Sequence, residues 1–269
     1  MKNSIVDNIK SLPPLPKTIM DVQRIKSDPD ASIMDLAKVI ETDPMIVANL
    51  LKAANSPLYS FGREIKNVSQ AVSLFGMNMT SSIAIGSGVK KLLNVDMAPY
   101  SMTPDEFAEH SSMQAAFLSQ WYSKVDKSAL NELYLAAFLQ NVGAILIASD
   151  VIKDDETYSF LEEFKMSNNL AQLEASYAGD SSSYIAAAVF EHWMFDEDFV
   201  NMIEFADKPQ DAPENIAHYS SVLNILKTLM PLNRPFNKHA INFATKKVSD
   251  AGLDVATFES AVEDFMSKR

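Results

Sequence analysis

The 269 residues include no cysteine, which removes disulfides, thiolate metal sites, iron–sulfur clusters and a cysteine nucleophile together. Any metal would have to be held by His, Asp or Glu. Glycine is also scarce, at 7 residues, well under the usual share of about 7%. Arginine is limited to Arg24, Arg63, Arg234 and Arg269, widely separated along the chain. The longest apolar stretch near a helix centre, Val142 to Ala148, falls far short of the roughly 20 residues that a bilayer span needs. Met1 to Lys10 alternates apolar and polar residues and lacks the apolar core of a signal peptide. These absences point to a cytoplasmic protein with no membrane partner.

What is present is acidic and helix-forming. Asp and Glu number 35 against 23 Lys and Arg, for a net charge of -12, so phosphate backbones are repelled and nucleic acid is not an expected partner. With 47% hydrophobic and 22% charged residues the chain has the composition of a folded globule. Ile185, Ala188, Val189, His192 and Trp193 recur at helical spacing, as do Ile216, Tyr219, Leu223, Leu226 and Met230. No alternating run flanked by hairpin turn residues accompanies them. The fold class is therefore all-α. Helices are predicted to start at Ser32 with Asp35 and at Thr103 with Glu106, both with capping-box spacing, and at Asp43-Pro44 and Thr103-Pro104, where proline occupies the first helical position. Stops are predicted at Asn55-Ser56-Pro57, with Asn in the left-handed cap conformation, and at Gly76, Gly179 and Gly252. Proline and charge place a link at Asp96 to Thr103, dividing an N-terminal helical lobe, residues 1–97, from a second helical lobe, residues 98–269.

Five blocks occur in a fixed order: Leu12 to Pro16 (LPPLP), Leu36-Ala37 through Asp43-Pro44, Leu50-Leu51 through Asn55-Ser56, Ala71-Val72 through Gly76, and a longer series through Phe107, His110-Ser111, Leu135 to Gly143 and Gly179 to Trp193. In that order they resemble the HDOD family, degenerate relatives of the HD metal-dependent phosphohydrolases, over most of the chain. The resemblance implies a compact multi-helix fold with an HD-like second lobe. Within it, Asp43, Pro44, Asn55, Ser56, Gly76 and Trp193 are expected to be structural, as caps, turns and packing.

The resemblance also identifies the positions at which HD phosphohydrolases hold a divalent cation. The first histidine falls on His110. The His-Asp pair falls on Gln140-Asn141, a later histidine position on Ser182, and the late aspartate on Asn224. Neutral amides in place of an imidazole and carboxylates remove the charge that would offset a dication. The expectation is a pseudo-enzyme with no metal and no cofactor, its pocket formed by His110, Gln140, Asn141, Ser182 and Asn224.

Other constellations are read as structural. Glu191-His192 lies at a helix edge, Asp196-Glu197-Asp198 complements a helix start, and Glu162-Glu163 is a solvated face. Gly86-Ser87-Gly88 lacks the third glycine and preceding strand of a dinucleotide fingerprint and is read as a helix irregularity. Ser32 to Ala54 has helix-turn-helix spacing, but Ala31 to Asn55 carries two lysines against three carboxylates, net -1, so phosphate contacts would be few. The 14 methionines are read as adaptable core filler, with a re-packable binding surface as the alternative. The function expected is a non-catalytic signalling module whose partners are signalling or regulatory proteins. The alternatives are a nucleotide-like small-ligand sensor in the degenerate pocket and residual metal-dependent hydrolysis.

Overall fold

The structure, a computed structural model, describes residues 1–59, 64–93 and 96–267; Arg63 and Arg269 lie outside them. All regular structure among the described residues is helical. The first helix, α1 (Asn3–Lys10), buries Ile5 and Ile9 and packs against the later helices α8 (Gly143–Lys153) and α11 (Ser182–His192). Next, α2 (Lys17–Ser27), α3 (Ile33–Ile40) and α4 (Pro44–Ala54) gather around α5 (Val68–Leu92). α5 also packs on α7 (Leu130–Leu139), which pairs with α6 (Pro104–Tyr122), so the two halves share one continuous apolar core. The remaining helices are α9 (Thr157–Met166), α10 (Leu170–Ala178), α12 (Glu197–Glu204), α13 (Glu214–Leu229), α14 (Lys238–Asp250) and α15 (Val255–Met266), the last returning to α6.

The caps follow the local sequence. Ser32 with Asp35 and Thr103 with Glu106 form reciprocal capping boxes, and the Asp43 carboxylate accepts from the amides of Met45 and Ile46 ahead of Pro44. Asp196 accepts from the amides of Asp198 and Phe199, so that acidic run caps α12. Trp193 donates from its indole to Pro13 O at 2.9 Å, clasping the LPPLP segment to the end of α11.

Four expectations are corrected. Asn55 is right-handed (φ -94°, ψ 2°); its Nδ2 donates to Leu51 O and Ile65 O, both at 2.9 Å, and its Oδ1 accepts from Ile65 N at 2.8 Å. These bonds tie the end of α4 to a residue ten positions on, which is why the side chain and not a backbone reversal terminates the helix. The stop predicted at Gly76 is a kink between two helical stretches of α5, not the end of the element: its backbone is non-helical at φ 75°, ψ -179°, and an added Cβ would meet nothing within 4 Å, so the requirement is the backbone angle alone. Gly86 and Gly88 lie in regular helix, where a Cβ would fall 2.1 Å from the Phe138 ring and 2.4 Å from Ile19. They are close-approach points of α5 with α7 and α2. Lastly, Glu132–Lys153, across α7 and α8, is long and apolar enough by length and composition to cross a bilayer, beyond the reach read from Val142 to Ala148. Of its most apolar window 89% is buried inside the protein, because α7 and α8 form part of the core.

Candidate functional site

The turn Gln140-Asn141-Val142 links α7 to α8, and its two amides are held by a residue outside the motif positions. Gln114, one turn after His110 on α6, accepts through Oε1 from Gln140 Nε2 at 3.1 Å and from Asn141 Nδ2 at 2.8 Å, and donates from Nε2 to Met230 O at 3.2 Å. Gln114, Gln140 and Asn141 are all buried. Gly143 then lets the start of α8 approach the start of α11: a Cβ there would lie 2.0 Å from Ser182 O. That approach places Asn141 beside Ser182.

The five expected pocket residues are distributed in three places. Asn141, Ser182 and Asn224 line one cavity of about 510 Å³ bounded by α10, α13, α14 and the 231–237 loop. His110 lines an adjoining cleft of about 500 Å³ with Glu106 and Glu109. Gln140 is fully buried and lines neither. Leu232, Asn233 and Arg234 line both spaces, so the 231–235 loop is the wall between them.

The charged groups of the larger cavity carry no family motif. Lys227 pairs with Asp207 Oδ1 at 2.8 Å and also donates to Ser183 Oγ. Lys247 donates to Asn224 Oδ1, while Asn224 Nδ2 donates to Ala206 O at 2.6 Å. Glu174, fully enclosed, accepts from Tyr100 OH at 3.1 Å and from Ser182 N at 2.8 Å. Burial pushes the Glu174 carboxyl above the usual range, against the pull of Lys227 and Ser182. Burial pushes Asp207 the same way, but Lys227 together with the Ser181 and Ser183 hydroxyls outweighs it and the net shift is downward. Burial lowers the Lys247 ammonium, opposed by Asp207 and Asp250.

The donor set does not fit a divalent cation. Gln140 and Asn141 are neutral carboxamides whose NH2 groups donate to Gln114, and no group of three His, Asp or Glu side chains that could hold a metal ion occurs among the described residues. Gln114 was legible, since it lies at i+4 from His110 and so shares its helix face. Lys227 shares a face with Asn224 in the same way. Asp207, Glu174 and Lys247 had no such signal, because only tertiary packing brings them to the cavity.

A family model described as the HDOD domain matches residues 12–209. The chain belongs to the HDOD family. HDOD domains are related to the HD phosphohydrolases. The chain is 24% identical over 217 residues to an uncharacterized protein of Treponema pallidum (strain Nichols), a match covering 78% of this chain and 40% of that relative's length. Among solved structures, a virulence factor of Campylobacter jejuni is 25% identical, with a TM-score of 0.60 over 97% of this chain and 94% of its own. A signal-transduction candidate from Marinobacter aquaeolei VT8 shares this chain's fold at 20% identity and a TM-score of 0.70, covering 100% of this chain and 59% of that one.

Proposed function

We propose that this HDOD chain is a non-catalytic regulatory module that acts by associating with signalling or regulatory proteins. The observation that carries this reading is the Gln114–Gln140–Asn141 amide network. Where an HD enzyme places an imidazole and a carboxylate on a cation, this chain places two neutral carboxamides whose Nε2 and Nδ2 groups both donate to Gln114 inside the protein. A neutral turn held by its own amide donors lacks the negative charge and the imidazole with which an HD site binds the cation that polarises phosphate or activates water. The acidic surface, net -12 for the chain, favours protein association over nucleic acid.

Two measurements test the reading. Cross-linking followed by affinity recovery from native cells should return a specific protein partner; repeated recovery of nothing above background counts against association. Metal analysis of untagged protein, followed by phosphodiesterase assays with added manganese or magnesium, should give substoichiometric metal and no turnover. A stoichiometric metal with turnover would replace the regulatory reading with residual hydrolysis.

A further inference from the structure

The 510 Å³ cavity has a charge balance unlike that of the chain as a whole. Lys227, Lys247 and Arg234 face it against only Glu174 and Asp207, in a protein of net charge -12. The two carboxylates are already engaged: Asp207 with Lys227, and Glu174 with the Tyr100 hydroxyl and the Ser182 amide. The other two cations hydrogen-bond only neutral groups. Lys247 donates to the Asn224 amide oxygen, and Arg234 donates to Ser167 O at 2.8 Å and Asn168 Oδ1 at 3.2 Å. Neither forms an ion pair among the described residues. Lys247 is also partly withdrawn from water, and burial disfavours its charged form. Asp207 and Asp250 act on Lys247 only at longer range, so for cations bonded to amides and carbonyls the stronger direct contact is an anion from outside.

The rest of the lining suits a hydrogen-bonding body. Asn141, Asn168 and Asn233 line the cavity with carboxamides whose oxygens can accept, the Nδ2 groups of Asn141 and Asn233 being donated within the protein, and Phe243 with the ring of His239, 5.6 Å between centroids, lines one side. We propose that this cavity binds a small organic molecule carrying one oxyanion, a carboxylate or a phosphate monoester, seated on Lys247 and Arg234, and that its occupancy is the input of the regulatory module. Three cations against two carboxylates leave a formal excess of one positive charge, which matches one anionic group; a phosphate-rich ligand would leave charge unpaired in a partly enclosed space. The volume is in the range of ordinary small-molecule pockets, about 300–1,000 Å³. Because Arg234 and Asn233 also bond the 164–168 segment, an anion drawn to Arg234 would act directly on the loop that walls both cavities.

The regulatory purpose rests on the function proposed above, whereas binding is measured without a partner or turnover, so either can fail alone. The test is thermal unfolding of the full chain in chloride at constant ionic strength with glycerol 3-phosphate, malate or inorganic phosphate. Saturating glycerol 3-phosphate or malate should raise the midpoint by about 5 °C, and whichever acts names the source of the oxyanion. Lys247→Gln should abolish the shift, while Lys38→Gln, exposed and paired with Asp35 on α3, should keep it. No shift with either organic anion, an equal shift with inorganic phosphate, or an undiminished shift in Lys247→Gln overturns the proposal. If Lys247→Gln does not fold, Arg234→Gln carries the same test, and an undiminished shift there overturns it as well.

Discussion

Removing the Gln114 amide would take away the acceptor shared by the buried Gln140 and Asn141 donors, the costly way to lose a hydrogen bond. Gln114→Leu is therefore expected to cost about 2–4 kcal/mol in urea unfolding, more than the fit of an apolar side chain can return. Asp207 and Glu174 make a second prediction because their shifts have opposite signs. The folded pKa of Asp207 lies below its unfolded value, so its contribution is present above the unfolded carboxyl value and is lost as pH falls through the folded one. The exposed cap Asp35, held at about 2 mainly by the Ser32 hydroxyl, follows the same sign. Glu174 is raised, so its contribution is complete below the unfolded value and is lost as pH climbs. Urea midpoints measured from about pH 3 to about pH 7 should show the deficit of Asp207→Asn shrinking toward acid and that of Glu174→Gln shrinking toward neutrality. Parallel profiles for the two variants would refute the assignment.

Two glycines separate backbone strain from helix contact. Gly76→Ala meets open space, and its penalty is the positive-φ extended backbone alone (φ 75°, ψ -179°), about 1–3 kcal/mol. Gly143→Ala drives a methyl into the Ser182 carbonyl, which cannot rotate away, so the starts of α8 and α11 must separate. That substitution should cost more than about 3 kcal/mol or prevent folding, and far-UV circular dichroism in urea gives the order of the two. Elements were legible where their signal is local. Ser32, Asp43 and Thr103 announce helix starts because a cap bonds amides two or three residues ahead. Asn55, Gly86 and Gly88 were misread because their partners, Ile65, Phe138 and Ile19, lie 10 to 69 residues away, and helical periodicity carries no trace of such contacts.

At the scale of the molecule, α5 joins the halves: it carries α2, α3 and α4 on one part of its surface and meets α7 through Gly86. One apolar core runs through both, so urea unfolding is expected to be a single transition, with far-UV and near-UV circular dichroism midpoints that coincide; two resolved steps would show that the halves are stable separately. The candidate site was partly legible at this scale. Asn141, Ser182 and Asn224 share a cavity although 83 residues of chain separate the outer two, because a resemblance over most of the chain carries fold-level proximity. His110 was drawn into the same group, but α6 directs it to the neighbouring cleft. Trp121 and Trp193 are the chain's two tryptophans. Trp121 is sealed among Phe117 and Phe258, where α15 meets α6, and Trp193 grips Pro13. Their emission thus gives two unlabelled optical gauges, one of the seating of the last helix and one of whether the 12–16 clasp stays shut.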